Sequence, residues 1–311
     1  GCNYLPRTDG KRHALQDRWI FTASTQFSEA FPNVSVPTAG REDNQTNKAW
    51  YNIPYIESAE ESYVELYERL RVLKQLGINE LFINHPAETW HDGDGNATFT
   101  LDAAIAKGGD DALGEYLDAL GDLGYKASLQ VNFRAIPAIH GEWSPAVGAQ
   151  SPDGNPIVTA SGQYMVKQTW ARQRSAQHIS DLLEKYHPEQ PYVSAHAALA
   201  PWDFNDCDVQ IDQGCTLGHN IETQRALLAS LRTQGAIIGE GGNHWFYAGI
   251  LNGYLARMVG DNPSEIPPLV DFALKKLHPL QSDAGVGTID QYFGGTIPQG
   301  EKHSRSDYLS R

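Results

Sequence analysis

Four times along this chain a helix-period apolar stripe gives way to a short apolar run, three times across a glycine. That recurrence restricts the fold more than any other feature. Leu66, Leu70 and Leu73 form the first stripe, behind a capping box read at Ser58-Ala-Glu-Glu61; Gly77 ends it and residues 80–85 (ELFINH) follow. Leu113, Leu117 and Leu120 form the second, with Gly124 as the stop and residues 127–132 as the strand. A third unit runs from Arg172 through Tyr186 to residues 191–196, and a fourth carries Leu227, Leu228 and Leu231, then Gly235, then AIIGEGG. The apolar runs are continuous rather than alternating, as expected of strands buried on both faces. Serial helix-then-strand units call for a parallel sheet with right-handed crossovers.

Residues 19–25 (WIFTAST) are expected as a first strand and residues 269–277 (LVDFALKKL) as a sixth. Such a series fits an α/β fold of the (β/α)8 TIM-barrel type, incomplete in recognisable strands or part of a longer multidomain chain, with residues 1–311 as a single barrel domain. A doubly wound nucleotide-binding sheet is the rival, but no GxGxxG or GxxxxGK[ST] follows any strand, so its phosphate cradle is missing. A polar stretch rich in Gly, Pro and Ser, residues 134–168, separates the third and fourth strands. Loops of that length are usually functional.

The net charge of −14 argues against nucleic acid or an anionic membrane surface as partner, because both would repel it. No window reaches the roughly 18 apolar residues of a membrane span, so no insertion is expected. No motif calls for a cofactor. Cys207 and Cys215 can close one loop as a disulfide or stand as two separate thiols, and the sequence favours neither. The ends, GCNYLPRTDG and SRSDYLSR, read as those of a piece of a longer protein.

In a β/α barrel the reacting groups sit at the C-terminal ends of the strands, and those ends are polar here. His85 ends the second strand, Asn132-Phe-Arg134 the third, Ser194-Ala-His196 the fourth, and Glu240-Gly-Gly-Asn-His244-Trp245 the fifth. Glu240 emerges from an apolar strand, where partial desolvation would favour the protonated form that a general acid needs. Gly239, Gly241 and Gly242 are expected to leave room for a large substrate. Glycoside hydrolysis needs a second carboxylate; Asp203 is the expected partner, with Asp206 behind it. Trp202 offers a stacking face for a sugar ring and His196 a hydrogen bond to a hydroxyl. Ser-His-Asp acyl transfer at Ser194 is the rival chemistry. It lacks a GxSxG elbow, and Ser194 and His196 are read on one strand and one face, without a third group. A metal-dependent hydrolase using His85, His196 and Asp271 is weaker, because no HxH or HExxH spacing exists.

GCNYLP, GGDDALGEYLDALGDLGYKASLQVN, YVSAHAALAPWDFNDCD and GEGG together resemble the barrel of the endo-α-N-acetylgalactosaminidase-like glycoside hydrolases, families 101 and 129 and their bacterial relatives. The resemblance covers residues 1–295. It implies a retaining hydrolase with an Asp nucleophile after strand four and a Glu acid/base after strand five. Glu240 matches the acid/base, whereas the nucleophile position falls on Ser194. It also implies a carbohydrate substrate, further domains in the same protein, and secretion or association with the cell envelope. Two functions follow as expectations: a glycoside hydrolase, or a catalytically impaired relative that binds carbohydrate. Asp203 across the cleft at about 6.5–9.5 Å from Glu240 would leave room for a water and an inverting mechanism.

Overall fold

The computed structural model describes residues 5–15, 21, 23–25, 49–52, 61–91, 101–240, 243–247, 249–251 and 253–255. The chain divides into two compact units, residues 1–17 with 36–255, and residues 18–35 with 256–311. Every helix and strand among the described residues lies in the first unit.

Ser62 starts the first crossover helix, α1 (Tyr63–Gln75): its hydroxyl accepts the Glu65 N–H and the Glu65 carboxylate accepts the Ser62 N–H. The capping box is thus one turn beyond the expected one, and Ser58 lies outside the described residues. Gly77, at φ +87°, turns the chain out of the helix. Strand β1 (Ala49–Asn52) precedes α1 and β2 (Leu81–His85) follows it. A short helix α2 (Ala87–Trp90) leads to α3 (Gly109–Asp122) and strand β3 (Lys126–Val131). The polar excursion after β3 is folded: β4 (Ala135–Ile136) pairs antiparallel with β5 (Tyr164–Met165), and further bridges such as Gln150 with Pro156 lace it together. Then come α4 (Gln168–Tyr186), β6 (Gln190–Val193), α5 (Leu217–Arg232), β7 (Ile238–Glu240) and β8 (Gly253–Leu255).

Strands β1-β2-β3-β6-β7-β8 form one parallel sheet in serial order, an arc of a β/α barrel rather than a closed ring of eight among the described residues. Two of its strands, β1 and β8, were not legible as apolar runs. The expected strands at 19–25 and 269–277 lie outside the described residues except for 21 and 23–25, which form no strand.

The two faces of the arc separate by residue parity. Leu81, Ile83, Ala127, Leu129, Val131, Val193 and Ile237 pack with Leu66, Leu70, Leu113, Leu120, Leu182 and Leu228 of the helices in one large core. Phe82, Tyr192 and Ile238, one position out of step, form a separate cluster on the inner face. Successive strand residues point to opposite faces, so the inner series is 82 and 84 on β2; 128, 130 and 132 along β3; 192 and 194 along β6; 238 and 240 on β7.

Cys207 and Cys215, eight apart in sequence, are joined by a disulfide in the loop after β6. The same loop donates the Cys207 N–H to the Gln150 carbonyl, and its Cys207 carbonyl accepts the Thr8 N–H. Replacing both cysteines by serine is expected to cost about 2–3 kcal/mol, from the loop entropy released in the unfolded chain. A thermal melt should show the midpoint lowered by roughly 5–10 °C; an unchanged midpoint would mean the other contacts hold the loop alone.

No helix among the described residues is long and apolar enough to cross a membrane.

Candidate functional site

Register decides which strand-end residues can meet. Tyr192 pairs with Ile238 and Val193 with Gly239, so positions 194 and 240 stand at one level on adjacent strands, both on the inner face. Val131 pairs with Val193, and the Ser194 N–H donates to the Val131 carbonyl (2.9 Å), which brings Asn132 to the same level. The C-terminal rim of the arc thus carries a row, Asn132, Ser194 and Glu240. Below it lie Gln130 and Tyr192, and Asn84 accepts a 2.6 Å hydrogen bond from the Ser128 hydroxyl. Ser128 and Gln130 escaped the sequence reading; their signal was Ser-x-Gln-x-Asn at alternate positions inside an apolar strand.

Glu240 is partly buried, and its Oε2 accepts the backbone N–H of Ala195 at 3.2 Å. Gly239 faces the other way: a Cβ there would come 2.7 Å from Leu251 Cδ1 and 3.4 Å from Ala197. This glycine serves strand–loop packing rather than substrate access. Gly241 and Gly242 lie outside the described residues.

His196 does not share a face with Ser194. Ala195 adopts φ +65°, and the His196 N–H closes back onto the Ser194 carbonyl at 2.7 Å. That turn breaks the two-residue alternation and sends the imidazole into the helix layer. There Nε2 accepts the Phe133 N–H (3.2 Å) and Nδ1 meets Gln224 Oε1 (2.7 Å) of α5. His85 is placed alike by parity: Nδ1 donates to the Ser128 carbonyl (3.1 Å) and Nε2 accepts the Tyr116 hydroxyl (2.8 Å). Both rings are fully buried, and burial pushes each down to about 4. Neither is placed to touch a sugar. Nor do they suit a metal centre, since all four ring nitrogens are engaged; the third ligand of that reading, Asp271, lies outside the described residues.

Pro201–Phe204 forms a 3-10 turn beyond β6, with Trp202 and Asp203 exposed on it. Asp203 Oδ2 caps its own turn by accepting the Ala200 N–H at 3.2 Å, and its charge acts on Arg134. Arg134 is half-buried, 5.8 Å above the Phe204 ring, and burial lowers its pKa against the pull of Asp203. Asp206, unlike Asp203, is not exposed. It is buried, its Oδ1 accepts the N–H groups of Gln150 (3.0 Å) and Asp208 (3.1 Å), and burial raises its pKa. It lines a small hollow with Thr169 of α4 and His219 and Asn220 of α5, the first turns of both helices. A carboxylate there complements the positive ends of two helix dipoles. The backbone of His244 and Trp245 lies in the 3-10 turn after β7; their side chains lie outside the described ones. No group of three or more His, Cys, Asp or Glu side chains suited to a metal gathers among the described residues.

Neither a family model nor a curated protein matches the sequence. Solved structures do match the fold. An alpha-N-acetylgalactosaminidase, NagBb from Bifidobacterium bifidum in complex with GalNAc, superposes with a TM-score of 0.60 at 12% identity, over 77% of this chain and 42% of that one. The alpha-galactosidase of Lactobacillus brevis gives 0.53 at 14% identity, over 77% and 32%. The alpha-galactosidase TtGalA of Thermus thermophilus with stachyose gives 0.50 at 13%, over 77% and 48%. The chain shares its fold with TIM-barrel glycosidases. It spans less than half the length of each of these three proteins.

Proposed function

We propose that this chain is the barrel of a glycoside hydrolase, related to the endo-α-N-acetylgalactosaminidase-like group, with Glu240 as the proton donor to the glycosidic oxygen. One observation carries the reading. Glu240 stands on the inner face at the C-terminal rim, level with Ser194 and Asn132, and its carboxylate is held by the Ala195 N–H. The acid protonates the leaving oxygen as the anomeric C–O bond breaks, and a second carboxylate must serve the anomeric carbon. Asp203, exposed on the turn beside Trp202, is the proposed second carboxylate; Asn132 and Arg134 border the same rim as hydrogen-bond donors to sugar hydroxyls.

A second reading, a sugar-binding relative without turnover, is favoured by two placements. Ser194 occupies the rim position beside Glu240, and the Asp203 carboxylate is engaged in capping its own turn.

The test is Glu240→Gln, assayed on nitrophenyl glycosides of galactose and N-acetylgalactosamine and on a wider glycan panel. Loss of the acid should lower turnover by about 10²–10⁴-fold with the melting temperature unchanged. Turnover that survives the substitution sinks the assignment of Glu240, whereas glycan binding without turnover in the unaltered protein selects the second reading.

A further inference from the structure

We infer that His196 is a positioning residue for Glu240, acting through the backbone amide of Ala195; this rests on the reading of Glu240 as the proton donor. Glu240 is anchored to β6 by the 3.2 Å hydrogen bond from the Ala195 N–H to Oε2. Directly past that amide the chain turns, because Ala195 adopts φ +65° at the strand end. Side chains other than Gly and Asn visit this region rarely, since Cβ crowds the following carbonyl. The following residues must therefore hold the turn at Ala195.

Three contacts hold the turn. The His196 N–H donates to the Ser194 carbonyl (2.7 Å), the Leu199 N–H donates to the Ala195 carbonyl (2.9 Å), and the His196 ring is fixed in the helix layer. The ring's hydrogen bonds have one consistent direction. The Phe133 N–H can only donate, so Nε2 carries the lone pair and Nδ1 the proton, which goes to Gln224 Oε1. The Gln224 amide then donates to Gln168 Oε1, and Gln168 Nε2 donates to the Val166 carbonyl at 3.2 Å. Phe204 stacks on the imidazole, centroids 5.6 Å apart at 16°. The relay therefore ties the Ala195 turn to the segment after β3 and to α4 and α5, two helices that carry no part of the rim.

The geometry matters chemically because Oε2 is the oxygen that accepts. In the neutral acid the accepting oxygen is the carbonyl one, which leaves the proton on Oε1. When Oε1–H passes its proton to the glycosidic oxygen, the C–O bond electrons move to that oxygen and Glu240 becomes a carboxylate. The Ala195 hydrogen bond then becomes charge-assisted and stronger. An interaction that strengthens as the barrier is crossed affects kcat rather than substrate binding.

The experiment compares His196→Phe, His196→Gln, Gln224→Met and Glu240→Gln with the unaltered protein, by kinetics and by the ¹⁵N–¹H resonance of Ala195. Glu240→Gln should move that resonance, since it replaces the carboxylate the amide faces. His196→Phe keeps the ring volume but offers neither acceptor nor donor; it should move the same resonance and lower kcat by about tenfold or more, with KM little changed. Glutamine at 196 supplies an acceptor for the Phe133 N–H and a donor to Gln224, and should recover most of the loss. Gln224→Met releases the relay from the other end, so the effect can be read even if His196→Phe fails to fold. The inference is overturned if kcat and the Ala195 resonance stay unchanged in folded His196→Phe or Gln224→Met while Glu240→Gln abolishes turnover. Turnover unaffected by Glu240→Gln would instead remove the underlying reading, and the inference with it.

Discussion

Replacing Ser194 by aspartate is expected to raise hydrolysis by roughly 10³-fold or more and to yield product with retained anomeric configuration. Adjacent strands lie about 4.8 Å apart, and the β6–β7 register sets position 194 directly beside Glu240 on the inner face. Two carboxyl groups so placed approach the separation of about 5–5.5 Å that lets one act as nucleophile while the other donates a proton. Serine has the position but not the chemistry. Its hydroxyl needs a base to become a nucleophile, and the one imidazole nearby in sequence, His196, is turned into the helix layer with both nitrogens engaged. Losing a nucleophile from a hydrolase costs on the order of 10⁴–10⁶-fold, so its return to a largely intact rim should recover a sizeable part. The check is turnover of the nitrophenyl glycosides, with product configuration read by NMR and Ser194→Asp/Glu240→Gln as control. No gain on any glycan that the unaltered protein binds would defeat the idea that 194 is a nucleophile position.

Acidification between about pH 6.5 and pH 4 is expected to remove most of the folding stability of the described unit. His85, His178 and His196 are buried, and burial lowers their pKa values from 6.5 to about 4, about 3 and about 4. The unfolded chain takes up these protons near pH 6.5 and the folded one does not, so stability is fully present above 6.5 and falls as the pH drops through the window. At about 1.4 kcal/mol per unit, each histidine contributes on the order of 3 kcal/mol, and the three together rival the whole stability of an ordinary domain. The raised pKa of buried Asp206 acts in the opposite sense, since its protonation relieves a buried charge. The lowered values of Asp110 and Asp208 act only at still lower pH. Urea midpoints measured from pH 7.5 to 4.5 should fall steeply, and less steeply in His85→Gln or His178→Gln. A flat profile would mean that these rings are hydrated.

The helix stripes were legible because each is a local pattern: Leu66 and Leu70, Leu113, Leu117 and Leu120, and Leu227, Leu228 and Leu231 recur at helical spacing and are buried. The glycine stops and continuous apolar strands were legible for the same reason, and with them the parallel, serial order of the sheet. Strands β1 and β8 were not. Each is short, and each forms an edge of the described sheet, where pairing rather than an apolar run makes the strand. The capping box was displaced by one turn because Ser-x-x-Glu occurs both at 58–61 and at 62–65, and the pattern alone does not choose.

At the site, the sequence by itself placed Glu240 and Ser194 at the ends of consecutive strands of one parallel sheet; the register of the folded sheet put both on one face. The sequence did not determine where His196 goes. Two residues past Ser194, alternation placed it on the same face; the positive φ of Ala195, a tertiary choice held by Phe133, Gln224 and Phe204, turned it to the other. The sequence ranked Asp203 ahead of Asp206 only through its neighbour Trp202; that the first turns of α4 and α5 enclose Asp206 and leave Asp203 exposed was a tertiary outcome. Periodicity records which face of its own element a residue occupies. Which groups then close around a strand end is set by contacts between segments as distant as residues 133, 196 and 224, and no local pattern carries them.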